Sequence, residues 1–205
     1  MPLILLVRHG ENDYVKEQRL PGRIPGIHLN KNGRKQAKRL AKFLKPAPVK
    51  AVYSSPLERT METAQPIAKA FNLKVIPRER LIETDVGKWQ GKKINKLRKL
   101  ESWRKVQLNP SRFQFPGGEH ILDCQYRMVQ EIEQLAETHD PQDMIVCVSH
   151  ADPIKMAVAY YLGLPLDMYQ RLNVSPASIT PLLIGPFGSH LLALNYDLSL
   201  TFGKL

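Results

Sequence analysis

Apolar residues are distributed unevenly along the chain. Leu3-Ile-Leu-Leu-Val7, Val49 to Tyr53 and Met144-Ile-Val-Cys-Val148 are short runs rich in Val, Ile and Leu. They lack polar alternation and are too short for a typical core helix, so they predict central parallel strands buried on both faces. Between them the apolar positions follow a helical period. Asn32 to Leu44 places Ala37, Leu40, Ala41 and Leu44 on one face, with Lys31, Arg34, Lys35, Lys38, Arg39 and Lys42 covering the rest. A second helix is expected over Leu57 to Phe71, entered through Ser54-Ser55-Pro56, where serine can cap and proline fits the first turn. A third runs from about Glu119 to Thr138, and a fourth from about Pro153 to Leu162, closed by Gly163. This alternation predicts an α/β layer with helices on both faces.

The end of the chain reads differently. Ser178 to Ile184 and Leu191 to Tyr196, separated by Gly-Pro-Phe-Gly, predict two strands around a turn that add an antiparallel edge to the sheet. Gly87 to Ser111 is dense in Lys and Arg without a clean period; it reads as an excursion carrying a short helix, not as a separate domain. The 205 residues suit a single domain, and 43% hydrophobic content excludes a disordered chain. The opening apolar run has five residues and no preceding basic residue, so it predicts neither a signal peptide nor a membrane span. The expectation is a soluble, cytoplasmic protein. Cys124 and Cys147 are too few for a disulfide framework and read as reduced, Cys147 as core.

Charge changes the picture more than composition does. The net charge is +11, yet residues 1–105 carry +16 and residues 106–205 carry −5. The basic half calls for an anionic partner, either a small phosphorylated ligand or a polyanion.

In open α/β sheets, ligands collect outside the carboxyl ends of the strands. Arg8-His9-Gly10-Glu11 follows the first run, Ser54-Ser55-Pro56 and then Arg59 the second, and Ser149-His150 the last. Two histidines and two arginines are thereby aimed at one rim. A neutral imidazole can attack a phosphoryl group while arginines grip its oxygens in a fork geometry. The helix beginning near Leu57 would add backbone N–H donors. The leaving alkoxide needs a proton, and a carboxyl beside apolar neighbours has the raised pKa to supply it; Glu83 is the first choice and Asp85 the alternative.

Leu6-Val-Arg8-His9-Gly10-Glu11, Tyr53-Ser-Ser-Pro-Leu-Glu-Arg59-Thr-Met-Glu-Thr-Ala64, and Leu81-Ile-Glu83 with Gly87-Lys-Trp89-Gln-Gly91 form three motif blocks. Phe115-Pro-Gly-Gly-Glu119 and Val148-Ser-His150 form two more. Together, and in this order, they resemble the histidine phosphatase superfamily, also called phosphoglycerate mutase-like. The resemblance implies a doubly wound, mostly parallel α/β fold, a phosphorylated His9, a phosphate pocket of Arg8, Arg59 and His150, and Glu83 as proton donor. It implies no metal or organic cofactor for hydrolysis. Gly22-Arg-Ile-Pro-Gly26, Asp167-Met-Tyr-Gln-Arg171 and Ser175-Pro-Ala-Ser178 are also similar to a small phosphomutase-like subgroup. Two departures touch the pocket. Asn12 and Val15 stand where many members carry Ser or Thr and then Asn; Asn12 keeps a donor and Val15 does not. Ala151 stands where Gly commonly follows the second histidine, adding a methyl near the pocket.

The leading function is hydrolysis of a small phosphomonoester through phospho-His9. A phosphoglycerate-type mutase is the near alternative, disfavoured because such enzymes are usually longer. A polyanion-binding role for Lys88, Lys92, Lys93, Lys96, Arg98, Lys99, Arg104 and Lys105 is the alternative of another class. Nucleic acid is disfavoured, since Trp89 and Trp103 flank the segment without regular interleaving. A catalytically dead relative is disfavoured by the joint retention of Arg8, His9, Arg59, Glu83 and His150. The remaining histidines show no metal-ligand spacing. Arg23 and one or more of Lys92, Lys93 and Lys96 are expected to touch the distal part of an anionic substrate. No membrane association is expected, and a homodimer is left open.

Overall fold

The computed structural model describes residues 2–198. The chain forms β1 (Leu3–Arg8), α1 (Asp13–Lys16), α2 (Lys31–Leu44), β2 (Val49–Ser54), α3 (Glu58–Ala70) and β3 (Val75–Pro77). It continues through α4 (Ile94–Leu97), α5 (Glu101–Leu108), α6 (Ile121–Glu137), β4 (Met144–Ser149), α7 (Ala151–Tyr161), β5 (Ile179–Gly185) and β6 (Gly188–Leu191). One six-stranded sheet has the order β3-β2-β4-β1-β5-β6. The β1–β4, β4–β2 and β2–β3 pairs are parallel, whereas β5 and β6 add an antiparallel edge. The three apolar runs are therefore the central strands.

Alternation along these strands divides the core. Ile4, Leu6, Tyr53, Ile145 and Cys147 face Met128, Ile132 and Leu135 of α6 and Ile154, Ala157 and Val158 of α7. Leu5, Val7, Val52, Val146 and Val148 face Leu40, Ala41 and Leu44 of α2 and Ala64, Ile67 and Ala68 of α3. Each large aliphatic side chain fully buried this way contributes roughly 1.5–3 kcal/mol. Both layers hold the parallel strands with their carboxyl ends, Arg8, Ser54 and Ser149, on one rim.

Three local expectations are corrected. The serine cap of α3 does not form: its N-cap is Leu57, with no side-chain cap bond, and Pro56 lies outside the helix. Ser54 Oγ donates instead to the Ser55 carbonyl, and Ser55 Oγ is drawn to His150. The returning edge strand begins at Gly188, so Pro186-Phe187 alone makes the turn, and of the Leu191 to Tyr196 run Tyr196 keeps only an isolated bridge to Ile179. The basic excursion carries two short helices, α4 and α5, where one was expected. Its missing period has a physical cause: its apolar anchors are single residues. Trp89, Leu97, Val106, Phe113 and Phe115 join a third cluster with Ile121, Cys124, Met156 and Tyr169. The Trp89 ring centroid lies 5.9 Å from Trp103 and 5.4 Å from Phe115. Both cysteines are free and buried.

Candidate active site

Strand β1 delivers Arg8 and His9 to the rim. His9 is 1% exposed, and its Nδ1 lies 2.7 Å from the Gly10 carbonyl. A carbonyl only accepts, so Nδ1 carries the proton and Nε2 keeps its lone pair. Burial, reinforced by Arg59 and Arg8, holds the His9 pKa well below the ordinary histidine value. The ring is therefore neutral, with a free nucleophilic nitrogen. The backbone around it is fixed from α3 and α2: Gly10 N–H donates to Thr63 Oγ1 at 3.0 Å, and Glu11 N–H to Gln36 Oε1 at 2.8 Å.

Strand β4 delivers His150, fully buried at the N-cap of α7. Its ring meets that of His9 edge-on, with centroids 5.2 Å apart. Arg59 Nη2 lies 3.3 Å from His150 Nδ1, and Ser55 Oγ lies 2.9 Å from Nε2. An arginine only donates, so Nδ1 accepts and Nε2–H donates to the serine. Burial, then Arg59 and His9, hold the His150 pKa well below its usual value as well.

Arg59 is fully buried and Arg8 partly so, and each leaves part of its donor set unused. Arg59 gives Nη2 to the Gly22 carbonyl at 2.8 Å, and Arg8 gives Nη1 to the Val174 carbonyl at 2.6 Å. Burial lowers the pKa of both, opposed by the charge of Glu83. Among the described residues, the buried side-chain atoms without a hydrogen-bond partner are Arg8 Nε, Asn12 Nδ2, Arg59 Nε, Arg59 Nη1, Ser178 Oγ and Glu58 Oε2. Apart from Glu58 Oε2, all can donate, and they belong to residues on or beside the rim. Leaving a buried donor unpaired costs about 1–3 kcal/mol and more for charged groups, so this cluster is built for an anion.

Glu83 follows the 3-10 turn Glu79–Leu81. Its Oε1 accepts the Thr84 N–H at 2.9 Å, while Oε2 lies 3.6 Å from His150 Nδ1. Burial, only partly offset by Arg59, raises its pKa to about 7, with Asp152 pushing in the same direction. Asp85, the alternative acid, instead directs Oδ1 to the Gly87 N–H at 2.9 Å.

The sequence-predicted residues distribute as follows. Arg8, His9, Arg59, Glu83 and His150 converge on one rim. Asn12 is fully buried and caps α1, its Oδ1 accepting the Val15 N–H at 2.9 Å. Ala151 opens α7 beside His150. Arg23 turns inward, with Nε on the Glu83 carbonyl at 2.8 Å and Nη2 on Glu119 Oε1 at 3.0 Å. Lys92, Lys93 and Lys96 are exposed. Sequence reasoning missed Asp152 and Arg127, and it named Ser55 and Ser178 without giving either a role in the pocket. The fold places Ser178 next to Ile179, the strand partner of Val7, and so opposite Arg8.

Among the described residues no helix is long and apolar enough to cross a membrane, and no group of three or more His, Cys, Asp or Glu could hold a metal ion.

The model of the histidine phosphatase superfamily, branch 1, matches residues 4–197. Phosphoserine phosphatase 1 of Hydrogenobacter thermophilus is 34% identical over 180 residues, covering 87% of this chain and 84% of the relative. The 2,3-bisphosphoglycerate-dependent phosphoglycerate mutase of Thermoplasma acidophilum is 32% identical over 180 residues, covering 88% and 86%. The phosphoserine complex of a phosphoserine phosphatase mutant from Entamoeba histolytica superposes with a TM-score of 0.84 at 27% identity, over 95% of this chain and 97% of that one. The chain belongs to the histidine phosphatase superfamily.

Proposed function

We propose that the protein hydrolyses a small phosphomonoester through a phosphohistidine at His9. The observation that carries this reading is a neutral His9 with a free Nε2, set beside buried arginine donors that have no partner in the protein. The phosphoryl oxygens take the hydrogen bonds of Arg8 Nε, Arg59 Nε and Nη1, Asn12 Nδ2 and Ser178 Oγ, with backbone N–H groups at the start of α7, beginning at Ala151. His9 Nε2 attacks phosphorus and the ester P–O bond breaks. The positive charge that develops on the imidazole is spread through Nδ1–H to the Gly10 carbonyl. Glu83 Oε2 gives its proton to the departing alkoxide; Oε1 is occupied by Thr84, and a pKa of about 7 keeps the acid half protonated near neutrality. In the second half-reaction the Glu83 carboxylate takes a proton from water. That water attacks phosphorus, the N–P bond breaks, and neutral His9 and phosphate are released. A bound phosphoryl dianion also offsets Arg59 and Arg8, which moves the His150 pKa upward.

The similarity to phosphoserine phosphatases supports a small phosphorylated metabolite as substrate, with Arg23 and the exposed Lys92, Lys93 and Lys96 meeting its distal anionic part. The free, buried cysteines suit a reducing, cytoplasmic setting. A mutase is the second reading, favoured by the Thermoplasma acidophilum relative. It differs only in whether phospho-His9 gives its phosphoryl group to water or to a second hydroxyl.

A panel of phosphomonoesters scored by released phosphate tests the reading, with His9→Ala as blank and a base quench to preserve the phosphoprotein. Turnover with an acid-labile phosphoprotein that disappears in His9→Ala is expected. No turnover on any ester and no phosphoprotein would overturn it. Isomerisation of 3-phosphoglycerate dependent on 2,3-bisphosphoglycerate, without net phosphate release, assigns the mutase.

A further inference from the structure

Arg127 sits on α6, outside every motif that carries the family resemblance, and its side chain is 17% exposed. Its Nη1 donates to the carbonyls of Arg80 and Ile82 at 2.8 and 2.7 Å. Its Nη2 donates to the Glu83 carbonyl at 3.1 Å, to Glu119 Oε1 at 2.9 Å and to Cys124 Sγ at 3.1 Å, while Nε reaches Glu119 Oε2 at 3.2 Å. One guanidinium therefore serves three backbone carbonyls, those of Arg80, Ile82 and Glu83, within four residues of chain. Arg23, from the loop after α1, converges on the same Glu83 carbonyl and the same Glu119 oxygen. Glu119 Oε1 also accepts the Asp85 N–H at 2.8 Å.

The segment bearing Glu83 is in neither helix nor strand beyond Leu81, so no regular ladder satisfies or fixes its carbonyls. We propose that Arg127, bridged through Glu119 to Arg23, is a clamp that positions Glu83 for proton transfer. The inference rests on the phosphatase reading for its kinetic readout and deepens it. An arginine suits this place because its planar fork reaches several acceptors at once, whereas a lysine ammonium, as a point charge, does not match that geometry.

The clamp also accounts for a tight contact. A Cβ on Gly118 would lie 2.2 Å from the Asp85 carbonyl oxygen, and one on Gly87 would lie 2.4 Å from the Pro116 oxygen. The two glycines let the loop carrying Glu119 close directly over the segment carrying Glu83. The charged groups around the Glu83 carboxyl are Arg8 from β1, Arg59 from α3, Asp152 from α7 and Arg127 from α6, with His150 beside Oε2. When the clamp opens, the carboxyl moves toward water, and its pKa falls toward the ordinary value near 4.5.

The test compares wild type, Arg127→Met, Arg127→Lys and Glu119→Gln on p-nitrophenyl phosphate and on β-glycerophosphate. p-Nitrophenolate departs as a stabilised anion without needing a proton, whereas the glycerol alkoxide requires one. Arg127→Met is expected to lower kcat on β-glycerophosphate about tenfold or more beyond its effect on p-nitrophenyl phosphate, a fraction of what general acid catalysis contributes. It should also move the descending limb of the pH profile to lower pH. Arg127→Lys should not rescue, and Glu119→Gln should show the same pattern in weaker form, which keeps the test available if Arg127→Met does not fold. Equal losses on both substrates with an unmoved limb, or rescue by lysine, would overturn the clamp. Titration of the Glu83 carboxyl by carbon-13 NMR reads the same proposal without turnover. An inactive wild type defeats the phosphatase reading, and the clamp then stands or falls on whether that titration shifts downward in Arg127→Met.

Discussion

At the scale of single residues, the site moves the pKa values of two groups in opposite directions, His9 downward and Glu83 upward. His9 is held neutral and Glu83 is raised to about 7, so below about 7 nucleophile and acid are in their working forms together, which ordinary values would not allow. Activity on alkyl phosphates should therefore fall as pH rises through about 7, when Glu83 loses its proton. A steady-state profile of kcat/KM checks this, and p-nitrophenyl phosphate should show a shallower fall. The same shift has a cost in stability. The folded-state pKa of Glu83 lies above its unfolded value of 4.5. The folded protein therefore binds the extra proton between these values, and stability declines as pH rises from 4.5 to 7. Above that window the buried carboxylate costs about 3 kcal/mol, since each pKa unit corresponds to about 1.36 kcal/mol. Glu83→Gln should thus be more stable than wild type to urea at pH 8, equal to it near pH 4, and at least about a hundredfold slower on alkyl phosphates. A variant no more stable at pH 8 would show that the carboxylate is well solvated in the folded protein.

At the scale of elements, the site depends on how closely α2 approaches the loop after β1. A Cβ on Gly33 would lie 2.0 Å from the Glu11 carbonyl oxygen, and one on Gly10 would lie 2.7 Å from the Gly33 oxygen. Alanine inside a helix ordinarily gains about 1 kcal/mol over glycine. Here steric conflict with backbone wins, and Gly33→Ala should lose about 1–3 kcal/mol in urea denaturation and raise KM, because the displaced loop carries His9 and Asn12. A stabilised variant with unchanged KM would show that the loop yields freely. The same elements mark what was legible in the sequence. Strands β1, β2 and β4 were readable because burial on both faces removes polar alternation, and α2 because its lysines trace the solvent face. Strand β3 was not, since its three residues leave no period. The catalytic histidines and arginines were readable because they follow the apolar runs directly. Arg127 was not, because an arginine on a helix looks solvated until the fold brings the Arg80, Ile82 and Glu83 carbonyls to it. Arg23 was read toward the ligand for a similar reason, and the structure commits two of its nitrogens inward.

At the scale of the whole molecule, the +16 of residues 1–105 has a site to serve but exceeds what the site uses. Arg59 is buried and Arg8 half-buried in the rim, whereas Lys31, Lys35, Lys38 and Lys42 of α2 and Lys92, Lys93, Lys96, Arg98 and Lys99 around α4 are exposed. Of the basic side chains on the excursion, Lys105 pairs with Glu101 at 3.0 Å, both well exposed, which adds little to stability. Such a field raises the local concentration of an anionic substrate, and its reach is set by a Debye length of about 10 Å at 0.1 M salt. The expected signature is a kcat/KM that falls with ionic strength while kcat stays level. Replacing Lys92, Lys93 and Lys96 together by Glu should lower kcat/KM about tenfold at low salt, flatten its salt dependence and leave the melting temperature unchanged. Direct contact with the substrate's distal group adds a second mark: the loss then persists at high salt, where steering is screened and a contact is not. A triple variant with wild-type kcat/KM at every salt concentration would return these lysines to the role of solvated surface. In that outcome Arg23 alone remains to meet the substrate's distal anion.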